Sequence, residues 1–154
     1  MYKALGVKEQ CEEVKILFPP QHQDFHPGFE YLMQPRPISN NPYSIGSYKL
    51  KDKVAIITGG DSGIGRAVAY SFAKEGANIV ISYLNEHDDA NETKHNIECL
   101  GRECLLIPGD LKDEKMSKVV VEKTIERFGK IDILVNNHAV QYVQRSILDI
   151  TEEQ

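Results

Sequence analysis

From residue 50 onward the apolar positions fall into four short runs separated by longer amphipathic stretches. Residues 54–58, 78–83, 104–107 and 131–135 are brief and rich in Val, Ile and Leu, the pattern of strands buried on both faces. Residues 63–75 carry small and apolar side chains at helical spacing and stop at Gly76, which predicts a helix closed by a glycine C′ residue. Residues 86–100 are polar but helix-compatible and end at Gly101. Residues 113–128 bring Met116, Val119, Val120, Ile125 and Phe128 close to helical spacing, with Gly129 as the stop. Strands alternating with helices predict right-handed β-α-β crossovers and a parallel sheet covered on both faces.

The first third breaks this rhythm. Six of the seven prolines lie between Pro19 and Pro42, which forbids a regular helix or a central strand there. Phe18, Phe25, Phe29, Tyr31, Leu32 and Met33 are unusually apolar for a linker, so the stretch reads as an extended arm lying on the globular part or on a neighbouring subunit. The predicted organisation is a largely irregular arm over residues 1–49, with a helical turn at 8–15, and a half-domain over 50–154.

Composition narrows the class. The 154 residues are 41% hydrophobic and 27% charged with a net charge of −5, and no basic stripe marks a nucleic-acid surface. No apolar run approaches the roughly 20 residues of a membrane span, and residues 1–13 hold no apolar signal core. A cytoplasmic protein is expected. Cys11, Cys99 and Cys104 are odd in number and lack Cys-x-x-Cys spacing, so they read as reduced, with Cys99 and Cys104 as partly buried fillers.

The chemistry concentrates between the first strand and the first helix. Thr58-Gly59-Gly60-Asp61-Ser62-Gly63-Ile64-Gly65 is a strand end, a glycine turn and a helix start, the local geometry of a pyrophosphate site. A phosphate-loop NTPase would need Lys and then Ser or Thr after Gly65, and the chain has Arg66 and Ala67. Asp110 closes the third strand, and Asn136-Asn137-His138-Ala139 follows the fourth.

These three motifs together resemble the short-chain dehydrogenase/reductase family. The arm, with Pro19-Pro20-Gln21-His22-Gln23 and Pro27-Gly28-Phe29-Glu30, resembles that of bacterial oxidoreductases related to glucose or ribitol dehydrogenases. The resemblance implies a Rossmann-type, doubly wound α/β fold, here incomplete, with about four parallel strands in the order 3-2-1-4. It implies a nicotinamide dinucleotide as partner, with Gly59, Ser62, Gly63, Ile64 and Gly65 lining the pyrophosphate and adenosine ribose and Tyr83 at the end of the second strand. Asp110 and Leu111 would meet the adenine, and Asn136 and Ala139 the ribose. For Asp110 a turn or helix-capping role is the alternative, and for Asn136 and Asn137 backbone bonding that ties loops together. The family has Ala and Gly where this chain has His138 and Ala139; His138 reads as a loop residue.

The choice between NAD and NADP stays open. The second strand ends in Tyr83-Leu84-Asn85, with neither the carboxylate expected for a ribose 2′-hydroxyl nor an arginine for a 2′-phosphate. His22, Asp24 and His26 alternate like metal ligands but stand in a proline-rich arm, so no metal is expected. The family's Tyr-x-x-x-Lys dyad follows the fifth strand, whereas the one such pair here, Tyr70 with Lys74, sits in the first helix as a packing residue. The sequence stops at Gln154, where a fourth helix would begin with Thr151 as N-cap. The expectation is a dinucleotide-binding portion of an oxidoreductase, truncated and inactive alone, with no catalytic residue of its own. A non-catalytic dinucleotide-binding or interaction module, or an enzyme completed by a second polypeptide, are the alternatives. The fourth strand would present Ile131, Ile133, Leu134 and Val135 at an open edge, which predicts marginal stability or else self-association, as a homo-oligomer through edge and arm.

Overall fold

The computed structural model describes residues 20–24, 28–139 and 145–151. The expected turn at residues 8–15, together with Cys11, Phe18, Phe25 and His26, lies outside the described residues. Four strands, β1 (Val54–Thr58), β2 (Asn78–Tyr83), β3 (Cys104–Pro108) and β4 (Ile133–Val135), alternate with α1 (Gly63–Lys74), α2 (His87–Cys99) and α3 (Glu114–Phe128). One-turn 3-10 helices stand at Glu30–Leu32 and Ile147–Asp149. The strands are all parallel and lie in the order β3-β2-β1-β4, as the resemblance implied.

The two faces of the sheet carry separate cores because successive side chains point to opposite sides. Ala55, Ile57, Ile79 and Ile81 meet Ala69, Tyr70 and Ala73 of α1 and Ala90 and Ile97 of α2. Val54, Ile56, Val80 and Ile107 meet Val120 of α3, with Leu111 and Phe128 at the margin. Every residue of β1 is buried, and each fully buried Ile or Val contributes roughly 2 kcal/mol.

Helix ends follow their local chemistry. Asp113 caps α3 by accepting the Lys115 N–H, and Gly129 closes that helix in the left-handed region at φ 75°. The cap of α3 is thus Asp113 and not Asp110, whose carboxylate takes the turn role, accepting the N–H of Lys112 at 3.0 Å. Cys104 is buried, which pushes its thiol up to about 12, but Cys99 is exposed, so the filler reading holds for one cysteine and not the other.

Residues before β1 run across the ends of α1 and α2. Glu75 accepts the Ser47 N–H, the Ser47 hydroxyl and the Lys49 N–H, each at 3.0 Å, and the Lys49 bond is the main reason its carboxyl is lowered. Two glutamines clamp the arm on itself: Gln21 exchanges two bonds with the backbone of Gln34, and Gln23 does the same with Phe29. The apolar residues expected to anchor this segment do so only in part, since Tyr31, Leu32 and Met33 are 51%, 49% and 38% exposed. The carboxylate just before them, Glu30, is 3% exposed and is the residue that enters the globular part.

At β4 the ladder begins at Ile133 rather than at residue 131. The reason is Asp132, whose carboxylate accepts the Val54 N–H at 2.9 Å in place of a strand carbonyl. Ile131, Ile133 and Val135 are partly covered by the two cores, so Leu134, at 57% exposed, is the one β4 side chain standing open. Among the described residues no helix is long and apolar enough to cross a membrane.

Candidate functional site

Parallel strands carry the chain to one rim, and the loops leaving their carboxyl ends form the crevice. At the end of β1, Gly59 turns at φ 63° and its N–H donates to the Ser82 carbonyl at 2.7 Å, which holds the turn against β2. Gly65 sits where a Cβ would fall 1.9 Å from the Gly59 carbonyl oxygen, so no larger residue fits while the helix lies this close. Gly63, at φ 53°, has nothing within 4 Å of where a Cβ would stand, and Ile64 is largely exposed. The loop is therefore tight on its inner side at Gly65 and open on its outer side at Gly63. Ser62, the N-cap of α1, makes no side-chain cap bond, and the first N–H of the helix, that of Gly63, donates instead to the Glu30 carboxylate.

Thr58 joins this loop to the segment after β4. Its hydroxyl oxygen lies 3.3 Å from the Val135 carbonyl, accepts the Asn137 N–H at 3.0 Å and the His138 N–H at 3.2 Å, and lies 2.8 Å from His138 Nδ1. The Asn137 side-chain amide donates to the Thr58 and Gly59 carbonyls at 3.1 and 3.0 Å. Asn137 thus does the tying that was open for both asparagines, while Asn136, His138 and Ala139 are exposed on the rim.

The β2 and β3 ends complete the crevice. The Tyr83 ring is buried in the α1–α2 core with its hydroxyl 2.9 Å from His87 Nδ1, and its pKa is raised chiefly by burial. Its carbonyl, which accepts the Gly109 N–H at 2.8 Å, is its contribution to the strand-end rim. Asp110 is exposed one residue further on, with Leu111 half-buried against the α3-side core. Asp61 and Glu86 are buried beside one another, and Asp61 is raised first by burial and then by the charges of Glu86 and Asp89. A shallow cavity of about 220 Å³ lies between Phe29 and Tyr31 of the arm and residues 85–89 at the start of α2.

The family sequence model described as short chain dehydrogenase matches residues 53–154. The chain belongs to the short-chain dehydrogenase/reductase family. Among curated relatives, the Bacillus subtilis protein called uncharacterized oxidoreductase YhdF is 59% identical over 135 residues, covering 88% of this chain and 47% of the relative. The glucose and ribitol dehydrogenase of Daucus carota is 43% identical over 142 residues, covering 88% of this chain and 49% of its own. This chain therefore spans about half the length of the curated relatives it matches. A short chain dehydrogenase from Burkholderia cenocepacia, solved in complex with NADP, superposes with a TM-score of 0.62 at 36% identity, over 68% of this chain and 42% of that one. Carveol dehydrogenase from Mycobacterium avium, solved with NAD, gives the same TM-score and coverage at 28% identity.

Within this short-chain dehydrogenase framework the structure adds residues that the sequence reading passed over. Arg66, weighed there only against a phosphate-loop lysine, is buried and donates to the Asp61 carbonyl at 2.8 Å, to Glu30 at 2.6 Å and to the Asp89 carboxylate at 3.0 Å. Arg36 of the arm pairs with Glu92 beside them, which lowers the Glu92 carboxyl and raises the Arg36 guanidinium. The only signal for this cluster was a lone Arg on the buried face of α1 and a lone Glu among apolar arm residues. Tyr70, of the misplaced Tyr-x-x-x-Lys pair, is buried and its hydroxyl accepts from Asn96 at 3.0 Å. His22 and Asp24 pair at 3.2 Å on the surface, and among the described residues no three potential ligands gather as a metal site.

Proposed function

We propose that residues 50–154 form the dinucleotide-binding half of an NAD(P)-dependent oxidoreductase that transfers hydride at a carbonyl or alcohol carbon. The observation that carries this reading is the glycine loop: closed to any side chain at Gly65, open at Gly63, and set at the N-terminus of α1 where backbone dipoles favour an anion. Gly59, Ser62, Gly63, Ile64 and Gly65 would hold the pyrophosphate and adenosine ribose. Asp110 would accept a hydrogen bond from the adenine amino group with Leu111 beside the ring, and Asn136 and Ala139 would border the ribose. The cofactor itself would supply the hydride acceptor or donor. Two solved relatives bound to NADP and to NAD support a nicotinamide dinucleotide of either kind.

In this reading the 154-residue chain binds the dinucleotide without turning over alcohol. Tyr70 and Lys74 are the only Tyr-x-x-x-Lys pair in it, and the Tyr70 hydroxyl is occupied by Asn96 inside the core. Titration of the purified chain with NADH and with NADPH, followed by nicotinamide fluorescence, should give saturable binding of at least one. Binding of neither would overturn the proposal, and dehydrogenase turnover by this chain would overturn the claim that it only binds.

A further inference from the structure

The arm reaches into the glycine loop through one side chain. Glu30 lies on a single 3-10 turn, and its carboxylate divides between two groups of the same turn of α1. One oxygen accepts the Gly63 N–H at 2.5 Å, and the other accepts the Arg66 guanidinium at 2.6 Å. The backbone N–H of Glu30 donates to Asp89 at 3.3 Å, and the reciprocal bonds between Gln23 and Phe29 fix the residue just before it. Glu30 is thus held from three sides, and what it holds in turn is the most permissive part of the loop.

We propose that Glu30 is a positioning residue of the dinucleotide site, so that the arm is a working part of cofactor binding. This rests on the dinucleotide reading above. The α1 N-terminus has N–H groups without intrahelical partners, and Ser62 leaves them uncapped by its side chain. Glu30 takes the first of them from the arm side, and that bond fixes Gly63, whose lack of Cβ would otherwise leave it many conformations. Arg66 at 2.6 Å and Arg36 at 3.6 Å lie against the carboxylate and share their charge with Asp89 and Glu92. The N–H groups that follow are then already aimed when the ligand arrives, and binding loses less entropy in ordering them.

The proposal separates the pyrophosphate from the rest of the ligand. NADH, ADP and adenosine are titrated into the full chain and its Glu30→Ala and Glu30→Gln variants, with amide exchange of Gly63, Ile64 and the β1 and β2 strands followed by NMR. Glu30→Ala should weaken NADH and ADP alike by about tenfold, the scale of a lost bond to a charged group, and change adenosine by less than about twofold. Exchange should speed up at Gly63 and Ile64 while β1 and β2 stay protected. Glu30→Gln, which keeps an oxygen for Gly63 but no charge for Arg66, should fall between, and it carries the comparison if Glu30→Ala does not fold. Unchanged ADP affinity, or an equal loss for adenosine, would overturn the proposal. If the parent chain bound none of the three ligands, the dinucleotide reading would fail, and unchanged exchange at Gly63 in the variants would separately dismiss Glu30 as its organiser.

Discussion

The side-chain amide of Asn137 donates to the Gly59 carbonyl at 3.0 Å and to the Thr58 carbonyl at 3.1 Å, across 78 and 79 residues. The glycine loop and the segment after β4 are therefore one structural unit. A Cβ at Gly59 would meet the same amide nitrogen at 3.2 Å, so loop and asparagine are mutually fitted.

Asn137→Ala should consequently cost about 1–3 kcal/mol, the range for leaving partly buried carbonyls without a donor. Asn137→Asp should be worse, because its carboxylate would face two carbonyl oxygens. Urea denaturation at neutral pH compares the three proteins, and an Asp variant as stable as the parent would contradict the assignment of the amide orientation.

Gly65 and Gly63 should respond differently to the same methyl group. Gly65→Ala drives a Cβ to within 1.9 Å of the Gly59 carbonyl, a backbone atom that cannot swing aside, and should cost about 3 kcal/mol or more. Gly63→Ala meets no neighbour but retains φ 53°, and should cost about 1–2 kcal/mol. Equal unfolding midpoints for the two variants would show that helix α1 is free to move away from the loop.

Arg66 is the hinge of the buried ionic cluster, with Glu30 and Asp89 both nearly inaccessible beside it. Arg66→Met leaves two buried carboxylates with Arg36, itself partly exposed, as their nearest cation at 3.6 and 4.0 Å, and should destabilise by about 3 kcal/mol. Adding Glu30→Gln and Asp89→Asn to Arg66→Met should recover part of that loss, since it removes the buried negative charges. A triple variant less stable than the single one would place the stabilisation in packing instead of charge balance.

The sheet was legible because buried parallel strands need continuous Val, Ile and Leu, and residues 54–58 and 78–83 have them. Glycine stops marked the helix ends for the same local reason, as at Gly76 and Gly129. The strand order came from resemblance to a family, since periodicity carries no information on which strands are neighbours. What the sequence hid were long-range polar pairings. Glu30 with Arg66 spans 36 residues, and nothing in a window around either residue signals the other. Asp132 was hidden differently: it sits in an apolar run, and its carboxylate imitates a strand carbonyl, so β4 begins later than its apolar pattern.

Asp132 also sets an acid sensitivity. Its carboxyl accepts the Val54 N–H and pairs with Lys53 at 3.1 Å and Lys130 at 3.2 Å, and the Val54 bond leads in lowering it from 3.8 to about 2. A depressed carboxylate adds stability that is complete above its unfolded value and disappears as pH falls through the folded one. The advantage of the parent over Asp132→Asn should therefore be constant near pH 7 and 5 and shrink between about pH 4 and 2. The Asn variant can still offer an oxygen to Val54, so the comparison isolates the charge. Urea midpoints measured near pH 7, 5 and 3 decide it: a gap as wide near pH 3 as near pH 7 would mean that the charge of Asp132 does not hold β1 to the start of β4.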